Sequence, residues 1–177
     1  MDSRFVSDEV AYDGAICRVR KVGLGMDDGQ IVPRELIEMA DATVIVPVLP
    51  DESVVMIRNE RFAVNEDLLE FPAGKLDSPD EPPAECAARE LAEETGYSAG
   101  RIEPLGSFYS CPGLLTERLH AFGATDLTAG EQALEGYERI RVQVVPPGRV
   151  RELIRSGELH DAKSIAAWAL WRLAEAG

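Results

Sequence analysis

The chain is 177 residues long, with 45% hydrophobic, 28% charged and 6% aromatic residues, a composition that suits one globular domain and disfavours disorder or repeat arrays. Lys and Arg number 18 against 32 Asp and Glu, a formal net charge of -14, so nucleic acid and anionic membrane surfaces are poor partners. An anionic substrate would need divalent cations or locally placed arginines to enter such a field.

Met1 to Val10 carries Asp2, Asp8 and Glu9 and no apolar signal core. Ala15 to Val22, Ile31 to Glu38, Thr43 to Leu49 and Val54 to Arg61 read as short Val- and Ile-rich strands. Turn residues such as Asp27-Asp28-Gly29 and Pro50-Asp51 separate them, which predicts meandering antiparallel structure. Leu68 to Phe71 continues the pattern, Pro72-Ala73-Gly74 breaks it, and a polar loop ends at Pro82-Pro83. A helix is predicted from Ala84 to Thr95, stopped by Gly96. Strands are then expected at Ile102 to Tyr109 and Arg118 to Ala124, an acidic loop from Asp126 to Glu138, and a strand from Ile140 to Val145. Two closing helices, Val150 to Arg155 and Ala162 to Ala174, follow, and the second carries Trp168 and Trp171 at core-like spacing.

The order of elements gives an α+β sandwich with no internal linker. The longest apolar stretch, around Val44 to Leu49, is too short to span a bilayer. Cys17, Cys86 and Cys111 form no Cys-x-x-Cys pair, which disfavours a disulfide framework and a zinc ribbon and fits a soluble cytoplasmic protein. Gly23-Leu24-Gly25 lacks the third glycine and following helix of a dinucleotide fingerprint.

The chemistry concentrates in the central helix. At about 100° per residue, Glu90, Glu93 and Glu94 fall within one face. Ala84, Ala88, Leu91 and Thr95 form the opposite stripe, expected to pack on a sheet. Clustered carboxylates repel unless a cation compensates them, and oxygen-only ligands select hard ions, Mg²⁺ first and Mn²⁺ as an alternative. The bland reading of the same residues is a solvated helix face.

The flanking positions decide between these readings. Gly74 to Tyr97 resembles the Nudix box, Gly-x5-Glu-x7-Arg-Glu-aliphatic-x-Glu-Glu-x-Gly-aliphatic, with Glu81, Arg89, Glu90, Leu91, Glu93, Glu94 and Gly96 in register. Six residues, not five, separate Gly74 from Glu81, an insertion in a polar loop, and Tyr97 takes the last apolar position. Glu70 to Asp77 and Asp161-Ala162-Lys163-Ser164 are similar to the ADP-ribose pyrophosphatase branch.

The resemblance implies an α/β/α Nudix sandwich with a mixed β-sheet, spanning residues 1–177 as one domain. Residues 1–40 would be N-terminal antiparallel strands involved in a homodimer, and 41–177 the core. It implies hydrolysis of the diphosphate of a nucleoside diphosphate-linked small molecule, ADP-ribose first, giving AMP and ribose 5-phosphate. A different sugar nucleotide or dinucleotide, or a catalytically silent nucleotide-sensing module, are the alternatives. Glu90, Glu93, Glu94 and the Ala73 carbonyl would hold two or three ions, with Gly74, Glu81 and Arg89 supporting them. A glutamate of the acidic loop, Glu138 before Glu135, with Glu131 the remaining candidate, would activate water, and Gly130 and Gly136 would let the loop approach. Arg61 and Arg58 would bind phosphate, and Arg18 and Arg20 would serve the site or a partner subunit. His120 and His160 lack metal-ligand spacing and are expected to be structural.

Overall fold

The computed structural model describes residues 4–176; Asp2 of the N-terminal reading lies outside them. The chain opens with an antiparallel meander, β1 (Phe5–Asp13), β2 (Arg18–Gly25) and β3 (Ile31–Glu38). The Asp27-Asp28-Gly29 turn closes the second hairpin, with the Gln30 N–H donating to Asp28 Oδ1. β1 falls where no strand is predicted, because nearly all of it is exposed and it lacks an alternating apolar face. β2 begins three residues later than expected, since Gly14 to Cys17 are spent on the turn. Arg18 pairs with Asp13, and Arg20 is buried between Asp8 and Glu38, so both arginines are engaged within this sheet.

The meander does not continue. β4 (Ala42–Pro47) and β5 (Val54–Arg61) are consecutive but belong to different sheets. β5 lies between β6 (Glu66–Glu70) and β10 (Ile140–Val145), antiparallel to both. β4 pairs antiparallel with β7 (Ala73–Lys75) and parallel with β9 (Arg118–Ala129), which pairs in turn with β8 (Tyr97–Tyr109). The strand pattern breaks at Phe71-Pro72, as Pro72 predicts, but Ala73 and Gly74 begin a short strand rather than a turn, and β9 runs five residues further than predicted, shortening the acidic loop.

β4 is buried along its whole length, as expected of a strand covered on both faces. Val44 and Val46 meet Met56, Phe71 and Ala167 on one side; Ile45 meets Ala87, Leu91 and Phe122 on the other. Each of the larger buried side chains here contributes about 1.5–3 kcal/mol, and each alanine methyl less than about 1 kcal/mol. The helix α1 (Pro83–Thr95) packs on β4, β7 and β8, and α3 (Ala162–Glu175) packs on β4, β8 and β9, with α2 (Arg149–Ser156) completing the α3 side through Val150 and Leu153. The layers are α/β/α, and Trp168 stacks on Phe71 with ring centroids 6.2 Å apart. No helix among the described residues is long and apolar enough to cross a membrane.

The start of α3 is tied to the segment ahead of β7. Asp161 caps the helix, accepting from Ser164 N–H at 3.0 Å and Ser164 Oγ at 2.6 Å, and Ser164 Oγ accepts from the Phe71 N–H at 2.8 Å. Ser164→Ala would leave the buried Phe71 N–H without a partner. A loss of about 1–3 kcal/mol in denaturant unfolding is expected; a change under about 0.5 kcal/mol would show that another acceptor replaces the hydroxyl.

Candidate active site

Pro83 occupies the first turn of α1, where its missing N–H costs nothing, and Gly96 ends the helix at φ 74°, a left-handed conformation that other residues adopt at a cost. The buried arc of α1 is Cys86, Ala87, Leu91, Glu94 and Thr95, whereas Ala84 and Ala88 are exposed. The helix is thus turned toward its carboxylate face compared with the expected stripe, because Cys86 packs under β7 with Sγ 3.3 Å from the Lys75 carbonyl. Burial pushes this thiol up to about 11.

That rotation carries Glu94 inward. Its residue is 4% exposed, and Oε2 accepts from the Ala73 N–H at 2.8 Å. Burial pushes its carboxyl up to about 8, opposed by that hydrogen bond and by Arg61, and reinforced by Glu90 and Glu138. Glu90 is also raised, by burial first, against the pull of Arg89. Its carboxylate lies on Gly74 so closely that a Cβ there would stand 1.9 Å from it, which explains the glycine. Arg89 reaches Glu90 at 2.7 Å, Glu93 at 3.4 Å, Glu81 at 3.3 Å and the Lys75 carbonyl at 3.1 Å. Glu81 in turn accepts from the Asp77 N–H at 2.6 Å, fixing the loop that carries the inserted residue.

A cavity of about 740 Å³ gathers Ala73, Gly74, Arg89, Glu90, Glu93, Glu94, Glu135, Glu138 and Arg61 on its walls. Glu131 is not among the lining residues. The 131–138 loop is pinned to the end of α1, since Gln132 Nε2 donates to the Glu94 carbonyl at 2.6 Å and the Ala133 N–H to the Glu93 carbonyl at 2.9 Å. Glu138 folds back on this loop and accepts from the Glu135 N–H at 2.9 Å.

Arg58 does not reach the cavity. Strand alternation puts it on the face of β5 that Met56 turns into the core, and it binds Glu158 at 2.7 Å and Gln143 at 3.3 Å. Arg61, on the other face, is forked onto Glu70 through Nε at 2.8 Å and Nη2 at 2.6 Å. Lys163 also holds Glu70, at 2.5 Å. Glu70 is 1% exposed, and nothing in the sequence pattern marks it or Lys163 as a pair. Asn59, two residues before Arg61 on the same face, also lines the cavity, and strand alternation is the signal that would have found it. His120 contacts Asp41 and His160 contacts Glu66 and the Gly157 carbonyl, away from the carboxylates.

The donor set is oxygen-only and anionic, which suits a hard divalent cation, and the Gly74 cradle leaves Glu90 room beside β7. As the side chains stand, no three His, Cys, Asp or Glu among the described residues converge on one point. Arg89 supplies the positive charge nearest to Glu90.

With Glu94 raised from 4.5 to about 8, the folded protein holds a proton that the unfolded chain releases. This stabilising contribution is complete below the unfolded value and is lost as pH rises toward 8. In excess chelator, the thermal midpoint of Glu94→Gln relative to the parent is expected to rise steadily across that window; parallel pH profiles would contradict the assignment.

Residues 39–168 match the family model described as the NUDIX domain. An ADP-ribose pyrophosphatase of Bacillus subtilis (strain 168) is 29% identical over 178 residues, covering 99% of this chain and 96% of that protein. A GDP-mannose pyrophosphatase of Salmonella typhimurium is 31% identical over 176 residues, covering 93% and 86%. An ADP-ribose pyrophosphatase of Mycobacterium tuberculosis is 36% identical over 126 residues, 71% of this chain and 61% of that protein. A crystal structure of an ADP compounds hydrolase shares the fold, with a TM-score of 0.84, 24% identity and coverage of 95% of this chain and 91% of that one. A box in register on a helix that brings its glutamates to one cavity, within a domain matching along most of the chain, makes this protein a member of the Nudix family and a Nudix hydrolase.

Proposed function

We propose that the protein hydrolyses the diphosphate bond of a nucleoside diphosphate linked to a sugar, ADP-ribose first, releasing AMP and ribose 5-phosphate. The observation that carries this reading is the shared cavity: Glu90, Glu93 and Glu94 line it together with Arg61 and Glu138. Similarity to ADP-ribose pyrophosphatases along nearly the full chain supports the substrate, and similarity to GDP-mannose pyrophosphatases keeps another sugar nucleotide as the second reading.

Glu90, Glu93, Glu94 and the Ala73 carbonyl would hold Mg²⁺ or Mn²⁺, two or three ions, with Arg89 and Glu81 orienting the carboxylates. Such ions, when bound, neutralise diphosphate oxygens and acidify water. Arg61, bound to Glu70 through Nε and Nη2, keeps Nη1 without an acceptor among the described residues and offers it to a phosphate oxygen. Glu138 accepts the proton of the attacking water after leaving the Glu135 N–H, with Glu135 next in line for the same task. The acidic chain works in the cytoplasm on a small molecule, not on nucleic acid or membrane.

We also propose that the protein is one Nudix domain and a homodimer through the β1–β3 sheet, on which Val6, Val10 and Tyr12 of β1 are more than half exposed. Light scattering is expected to give twice the chain mass, and Tyr12→Asp to lower it; a monomeric parent would exclude the dimer.

AMP release from ADP-ribose is expected to stop in excess chelator and return with Mg²⁺; full activity in chelator would refute the mechanism. Glu94→Gln should cost on the order of 100-fold in rate and weaken metal binding, whereas Glu138→Gln should lower kcat with metal affinity kept. A marked preference for ATP over both ADP-ribose and GDP-mannose would overturn the substrate class.

A further inference from the structure

Among the described residues that line the cavity, Asn59 is the buried polar one without a hydrogen-bond partner for its side chain. It is 7% exposed, yet no described residue donates to or accepts from its side chain. Its neighbours across the sheet are Leu68 on β6 and Ile140 on β10, both apolar, and directly opposed residues share a face. Among the described residues no side-chain polar atom is sealed off without a partner, so the Asn59 amide is reached from the cavity it lines, and a ligand there can take up the hydrogen bonds that the protein leaves to solvent.

The chemistry of that partner is constrained. An amide presents donors and an acceptor, and a phosphate oxygen satisfies only the donors, leaving the carbonyl oxygen facing an anion. A hydroxyl donates and accepts, and so satisfies both. Arg61 is two residues along the same strand face, about 6.5–7 Å away at the Cα positions. A group reaching Asn59 while its phosphate lies on Arg61 is therefore a few bonds from the diphosphate. We infer that Asn59 is a specificity residue that hydrogen-bonds a sugar hydroxyl flanking the diphosphate. The assignment rests on the pyrophosphatase reading above and adds to it which part of the substrate is read by a neutral group.

Asn59→Leu removes donor and acceptor at similar volume, and Asn59→Ala serves as a second variant if the leucine packs poorly. Each is assayed with Mg²⁺ on ADP-ribose, on the analogue lacking hydroxyls on the terminal ribose, and on the analogue lacking them on the adenosine ribose. The Leu variant is expected to melt no lower than the parent and to lose about 10- to 100-fold in kcat/KM on ADP-ribose, the loss shrinking to about threefold or less on one analogue, which identifies the sugar. Equal loss on all three ligands, or none on any, overturns the assignment. Should the parent hydrolyse none of them, the pyrophosphatase reading fails separately. Calorimetric titration of the same ligands then judges Asn59, and identical affinity in parent and variant, absent binding included, overturns it.

Discussion

The burial of Glu94 is the constraint around which the site is organised. A carboxylate taken out of water beside Glu90 and within the field of Glu138 is destabilised in its charged form unless donors or cations surround it. The structure answers with the Ala73 N–H and the more distant Arg61, and holds Glu90 with Arg89. These are partial answers, since Glu94 remains raised to about 8. In the mechanism we propose, a cation would restore the charged form of a carboxyl raised in this way, and β7 supplies both the Ala73 N–H and the room above Gly74. Pairing of β7 with β4 fixes that delivery to the most deeply buried strand of the fold.

The second support comes from the far end of the chain. Glu70 precedes Phe71, and both are held by α3: Lys163 on the Glu70 carboxylate, Ser164 on the Phe71 N–H, and Trp168 against the Phe71 ring. Removing one partner of a buried ion pair is worse than never having made it. Glu70, Arg61 and Lys163 therefore stand or fall together, and the orientation of Arg61 depends on a helix about a hundred residues later. This gives a physical reason why the segments around Glu70 and Asp161 occur together in the sequence.

Much of this was legible beforehand where one signal was strong. β3, β5 and β10 keep their predicted bounds because Val and Ile runs are bracketed by turns, and α1 starts one residue early, at Pro83, and keeps its end at Thr95 because Gly96 stops it. The box glutamates were legible as one face. Which residues lie opposite was not, because the helix is held between a sheet and the polar cavity, and Ala84 and Ala88 ended outside. Arg58 turns away from the cavity, as alternation from the buried Met56 requires. β1 and β7 were illegible for opposite reasons: one is too exposed to show a pattern, and the other is three residues recruited by β4. The Glu70–Lys163 pair spans 93 positions and leaves no local trace.

The net charge of -14 poses a problem for an anionic ligand that distance alone does not remove. At physiological ionic strength, exposed charges beyond about 8 Å are largely screened, so the cavity walls matter more than the surface at large. Those walls carry more carboxylates than cationic side chains, and Arg89 and Lys163 are already committed to glutamates. A diphosphate by itself meets net repulsion there. In the proposed mechanism divalent cations would reverse the sign, and by linkage whatever factor they add to substrate affinity the substrate would add to theirs. An acidic protein acting on an anion is thus no contradiction: under the proposed mechanism the acidity would discriminate against anions that arrive without a cation, and Arg61 and Asn59 would then meet a ligand whose charge has been cancelled.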